Sequence, residues 1–175
     1  MSYWHRTTKE QLQEIFARCK GKTILDIGAW NADLASLLVE NGAAHVTTLD
    51  KEDPVLEENR YPTKISKVIA TFAEFQENYD HKVWDVGILS WPANNDYASK
   101  PIVSILKQCA FIIYIGCNQG GTQCGTPLLW KHLSTLQVLK YLPTPNNTVI
   151  VYGNQFRDKP DLLEEEELGL LLKVK

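Results

Sequence analysis

The stretch TILDIGAWNADLASLLVENGAAHVTTLD, Thr23 to Asp50, constrains this chain more than any other part of it. A short apolar run, Thr23 to Ile27, stops at Gly28. From about Ala32 to Glu40 the spacing predicts an amphipathic helix with Leu34, Leu37 and Leu38 on one face, ended by Asn41-Gly42. His45 to Leu49 is a second apolar run and stops on a carboxylate, Asp50. Strand, helix and strand make a βαβ unit with an acid at its far end. Gly28 lets the backbone bend sharply past the first strand, and Asp50 lies about twenty residues beyond that turn, where a carboxylate reaches ribose hydroxyls in βαβ cofactor folds.

The flanking sequence extends the same alternation. Before the unit, Leu12, Ile15, Phe16 and Cys19 form one stripe of a helix over Thr8 to Lys20, with Thr7 or Thr8 as N-cap. After it come a short helix from Pro54 to Asn59, a strand from Ile65 to Ala70, a helix from Phe72 to Tyr79 and a strand from Val83 to Leu89. That strand ends in Ser90-Trp91-Pro92. Tyr97 to Gln108 reads as a helix with Ile102, Ile105 and Leu106 inward. Ala110 to Ile115 is continuously apolar and rich in β-branched and aromatic residues, as a strand covered on both faces is. The loop from Gly116 to Gly125 holds four glycines. A helix from Pro127 to Leu133 follows, then strands Gln137 to Leu142 and Thr148 to Tyr152. Their link is too short for a parallel crossover and predicts an antiparallel hairpin at a sheet edge.

The 175 residues most simply form one domain over residues 1–156, followed by a tail, residues 157–175, that is acidic and then leucine-rich. The tail reads as a docked helix or as a segment ordered on binding, which makes it the place for a protein partner or a second copy. A net charge of −3 gives nucleic-acid binding no support. The four cysteines contain no C-x-x-C pair, and no apolar run reaches the roughly 18 residues of a membrane span. The N-terminus lacks a cleavage signature, so the sequence predicts a soluble chain in a reducing, cytoplasmic setting. Cys117, Cys124 and His132 do not have the spacing of a zinc site, and no metal is expected.

Alternating βα units closed by a hairpin resemble the class I S-adenosylmethionine-dependent methyltransferases, over roughly Gln11 to Gly153. ILDIGAWNADLA is similar to the family's first motif, TLD ending at Asp50 to its second, and ILSWP to its fourth. SWPA with IIYIGCNQGGTQCG is similar to a branch with SWPP-type and YIGE-then-GG-type motifs. The resemblance implies an α/β, Rossmann-like fold with a mostly parallel seven-stranded sheet in the order 3-2-1-4-5-7-6. It implies S-adenosyl-L-methionine as cofactor, held by Asp26, Gly28, Trp30, Asp50, Lys51, Thr71 and Phe72. Ser90, Trp91 and Pro92 would then stand beside a methyl acceptor that the sequence does not identify.

Duller readings accompany each of these residues. Asp26 and Asp50 can be strand-end carboxylates, Phe72 a core residue, and Trp91 a packing side chain. Only the first glycine of the family's loop is present, because Trp30 and Ala32 carry Cβ atoms that disfavour positive φ. Cys117 stands where the similar branch has an acid. A methyltransferase-like domain that has lost catalysis and serves as a binding or structural subunit is therefore the alternative. A nucleotide-binding oxidoreductase is less favoured, since G-x-G-x-x-G is absent.

Overall fold

Thr8 starts the first helix by a reciprocal cap: its hydroxyl accepts from the Gln11 amide at 3.2 Å while the Gln11 side chain accepts from the Thr8 amide at 3.0 Å. The computed structural model describes residues 6–29, 33–52, 60–92, 100–117 and 125–156. Within them helix α1 (Lys9–Cys19) precedes β1 (Thr23–Ile27), α2 (Asp33–Glu40), β2 (His45–Asp50), β3 (Ile65–Ile69) and α3 (Phe72–Tyr79). Next come β4 (Trp84–Ser90), α4 (Lys100–Leu106), β5 (Cys109–Gly116), α5 (Pro127–Leu133), β6 (Gln137–Pro143) and β7 (Thr148–Gly153). The helix expected from Pro54 to Asn59 lies outside the described residues, as do residues 97–99 of the helix expected from Tyr97.

All seven strands join one sheet in the order β3-β2-β1-β4-β5-β7-β6. The first five in that order pair in parallel, and β7 runs antiparallel to both β5 and β6. This is the class I methyltransferase topology, and the hairpin predicted from the short β6–β7 link is present. It carries an irregularity between Val138 and Lys140.

Alternation along each strand divides the interior into two apolar groups. Leu25, Ile27, Leu89, Ile112 and Tyr114 pack with Phe75 of α3, Ile102 and Ile105 of α4, and Leu129 and Leu133 of α5. Ile24, Val86, Ile88, Ile113 and Ile115 pack with Ile15 and Cys19 of α1 and with Leu34, Ala35 and Leu38 of α2. β1, β4 and β5 are thus covered on both sides, which is why their sequences are apolar throughout.

Two helix faces differ from the sequence reading. In α1 the fully covered residues are Gln11, Ile15 and Cys19, with Leu12 and Phe16 half-buried. The Gln11 amide donates to the Leu142 carbonyl at 2.8 Å, and this bond lets a polar side chain occupy the centre of the stripe. In α2, Leu37 is half-buried, and Ala35 and Val39 complete the covered face instead.

Packing between β4 and β5 is close enough to require glycine. A Cβ added at Gly87 would come within 2.6 Å of Cys109 Sγ and 3.2 Å of Cys109 Cβ, inside a fully buried layer. Gly87→Ala should therefore cost about 1–3 kcal/mol in urea denaturation. In a double-mutant cycle with Cys109→Ala the two substitutions should couple by about 1 kcal/mol, since removing the sulfur removes the clash.

Candidate functional site

Parallel strands present their carboxyl ends along one rim, and the sequence places its polar residues there. At the end of β1, Gly28 has φ +71°. The amides of Gly28 and Ala29 both donate to the Leu49 carbonyl, at 2.8 and 3.1 Å, so the turn is tied directly to β2. A left-handed residue at this point explains the glycine. Trp30, the residue expected to line the cleft beyond it, lies outside the described residues.

Asp26 is the unusual group. It sits in register between Thr48 of β2 and Ile88 of β4, has no solvent exposure, and neither carboxylate oxygen has a hydrogen-bond partner among the described residues. Thr48 cannot help, since its hydroxyl donates to the Ser66 carbonyl at 3.4 Å. Burial, and secondarily the charge of Asp50, pushes the Asp26 carboxyl up to about 7. The Cys19 thiol of α1 is in turn pushed up to about 12, by its own burial first and by Asp26 second. An orphaned buried carboxyl of this kind calls for an explanation, and a cationic ligand group is one.

The linkage has a definite sign. Between pH 4 and 7 the folded protein holds a proton on Asp26 that the unfolded chain has released, so stability falls as pH rises through this window and levels off above it. Asp26→Asn removes that dependence. In urea titrations the variant should gain on the wild type from pH 4 to 7, by on the order of 4 kcal/mol at the upper limit.

Asp50 ends β2, half-buried, in register with Ile69 of β3. Its Oδ1 accepts from the Glu52 amide at 3.1 Å, and its backbone carbonyl accepts from Ala70 at 2.9 Å, which fixes the strand end. Each oxygen of a carboxylate can accept more than one hydrogen bond. Lys51 beside it is exposed. Thr71 and Phe72, beyond β3, have work within the fold. The Thr71 hydroxyl accepts from the Glu74 amide at 3.2 Å and Glu74 Oε2 accepts from the Thr71 amide at 2.9 Å, capping α3. Phe72 is half-buried against the apolar group that contains Leu49 and Phe75.

Ser90 closes β4 opposite Ile115, half-buried. The chain then turns through Trp91 at φ +50°, the non-glycine residue with positive φ among the described residues. Its amide donates to the Ile115 carbonyl at 2.6 Å, its side chain belongs to the buried group that includes Ile88, Ile113 and Ile115, and the Arg6 guanidinium lies 5.8 Å from the ring centre. Pro92 is buried, and its carbonyl accepts from the Gly125 amide at 2.9 Å. Gly125 suits this position: φ is +85°, where a side chain would be strained, and an added Cβ would lie 2.6 Å from Leu129 Cδ2. The Cys117 carbonyl accepts from the Tyr114 hydroxyl at 2.7 Å, and the Tyr114 ring lies 4.8 Å from that of Trp130.

The structure therefore brings Asp26, Gly28, Asp50, Lys51, Thr71 and Ser90 to one rim, on the adjacent strands β1, β2, β3 and β4. It builds Trp91 and Pro92 into the scaffold beneath that rim. Sequence reasoning did not single out Arg6, Tyr114 or Gly125. Gly125 was visible only as one glycine in a glycine-rich loop, and no signal marked Arg6 as a partner of Trp91. The positive φ at residue 91 can be tested by itself. Because a Cβ at φ +50° costs about 1–2 kcal/mol, Trp91→Gly should be more stable than Trp91→Ala by about 1 kcal/mol in urea denaturation.

No protein-family model matches the sequence, and no curated protein matches it. Solved structures do. The N-methyltransferase NodS from Bradyrhizobium japonicum superimposes with a TM-score of 0.61 at 13% identity, over 83% of this chain and 93% of that one. A provisionally named RNA methyltransferase from Pyrococcus horikoshii gives 0.63 at 18% identity, over 83% and 82%. A third, a provisionally named methyltransferase complexed with SAH, gives 0.62 at 16% identity, and this chain covers 48% of its length. At such identities the likeness establishes the fold: this chain has the fold of the class I S-adenosylmethionine-dependent methyltransferases.

Proposed function

We propose that the protein binds S-adenosyl-L-methionine across the carboxyl ends of β1, β2 and β3 and transfers its methyl group to an acceptor held near Ser90. The observation that carries this reading is Asp26, a fully buried carboxyl without a hydrogen-bond partner among the described residues, one strand away from Asp50 on the same rim. The residues present suit the cofactor. Asp26 offers charge compensation to the ammonium of the methionine part, Gly28 allows close backbone approach, and Asp50 accepts hydrogen bonds from a ribose diol. Lys51, Thr71 and Phe72 flank the place where the adenosine part would lie. Trp30 is assigned to the same site by its position after Gly28.

When bound, the cofactor supplies an electrophilic methyl group. The chain's own task is then to position and orient a nucleophile. Ser90 offers a hydroxyl at the rim, and the hydrogen bonds from Trp91 to Ile115 and from Gly125 to Pro92 hold the backbone on which Ser90 stands. Trp91 and Pro92 serve the acceptor side by fixing that geometry. A reducing, cytoplasmic setting is part of this proposal, and the buried thiols of Cys19 and Cys109 are compatible with it. Among the described residues no helix is long and apolar enough to cross a membrane.

One observation favours the second reading, a binding or structural subunit without catalysis. Cys117 stands at the position where the similar branch has an acid, so a thiol replaces a carboxyl group there. Calorimetry separates the two. Both S-adenosylmethionine and S-adenosylhomocysteine should bind, and Asp50→Ala should weaken binding by about 1–3 kcal/mol, the cost of losing charge-assisted hydrogen bonds. Absence of heat with either ligand would sink the cofactor assignment, while binding without turnover across amine, hydroxyl and thiol acceptors would favour the non-catalytic subunit.

A further inference from the structure

Along β6, the last strand of the sheet, part of one apolar layer is exposed. Val138 pairs with Tyr152 and Tyr141 with Ile150 across the β6–β7 ladder. Directly opposed residues share a face, and Tyr152 and Ile150 belong to the group packed beneath α3, α4 and α5. Val138 and Tyr141 therefore continue that layer outward, yet each is 56% exposed, against 4% for Tyr152 and 7% for Ile150. On the opposite face of the strand the situation differs, because Leu139 and Leu142 pack against the second group. An edge strand with exposed large apolar side chains is a liability that folded proteins ordinarily cover.

The chain leaves the fold beside this strip. Phe156 is 8% exposed and belongs to the same layer as Tyr152 and Ile150. The preceding residue, Gln155, accepts from the Gln137 amide at 3.1 Å and donates to the Thr135 carbonyl at 2.9 Å, so it is fastened to the start of β6. Residues 157–175 follow, 19 in all, with Leu168, Leu171 and Leu172 at i, i+3 and i+4. As a helix they would span about 28 Å, enough to pass along a seven-residue strand of about 24 Å.

We propose that Leu168, Leu171 and Leu172 of the C-terminal segment dock on Val138 and Tyr141 of β6 in the same chain, covering the exposed end of the apolar layer. The tether favours the chain's own segment over that of another copy. A segment anchored at Phe156 meets the strip at an effective concentration in the millimolar range, far above the concentration of a second molecule in dilute solution.

Hydrogen exchange of the full chain, followed by mass spectrometry on peptides covering 162–174, tests the docking. Exchange in the wild type should be at least tenfold slower than in Leu171→Asp. Tyr141→Asp should accelerate these same peptides while those of β5 keep their protection. Leu171→Asp lies outside the sheet, so it also permits a second reading that does not depend on Tyr141→Asp folding: nitration of Tyr141 should become several-fold faster. Fully unprotected 162–174 peptides in the wild type would overturn the proposal, as would protection unaffected by Tyr141→Asp in an otherwise intact fold, or unchanged nitration. Protection that grows with concentration alongside a dimer in light scattering would overturn the assignment to the same chain and give the strip to a second copy.

Discussion

Double-sided burial of β1, β4 and β5 is the constraint from which the remaining architecture follows. A strand covered on both faces has its backbone groups in the ladder and nothing but apolar contacts above and below it, so polar side chains are expelled to its ends. In this chain Ile24, Leu25, Ile27, Val86, Ile88, Leu89, Ile112 and Ile113 fill the covered positions with no solvent exposure. Because the three strands are parallel, their carboxyl ends coincide on one rim. The polar residues that close β2 and β4, Asp50 and Ser90, are thereby brought to the same rim by the packing that makes the core. Asp26 is the exception that was not expelled, and it is the group on which the functional reading rests.

Much of this was legible in the sequence. The apolar runs that became β1, β2 and β5 have the period and composition of covered strands, and the Thr8 and Thr71 caps announce their helices by a Glu or Gln three residues on. The strand order came from the resemblance, carried by the motifs around Gly28, Asp50 and Ser90, since periodicity alone does not choose which strands are neighbours. Where the reading of a helix face went astray, the cause was specific. Gln11 is polar by composition but meets its hydrogen bonds with Thr8 and Leu142, 131 residues away, and no local rule detects a partner at that distance.

The site was less legible than the frame. Asp26 and Asp50 are visible as strand-end acids, but their energetic difference depends on depth: one is fully buried and the other keeps contact with solvent. Thr71 shows the converse, since a residue chosen for its place near an adenine is already employed as a cap. Trp91 combines both kinds of limit. Its sequence position marks a strand end, while its positive φ and its burial beside Arg6 belong to the place where β4 ends against β5 and the segment that precedes α1. These are tertiary facts with no counterpart in residue spacing.

The two buried cysteines among the described residues give the fold a property of another kind. Cys19 is 1% exposed in the layer beneath α1 and α2, and Cys109 has no exposure in the layer beneath α3, α4 and α5. Each thiol is sealed by a different face of the same sheet. A reagent can reach Cys19 only after α1 lifts, and Cys109 only after the opposite layer opens. The protein thus contains two internal clocks, set in its two halves, whose rates distinguish peeling of one layer from dissolution of the whole.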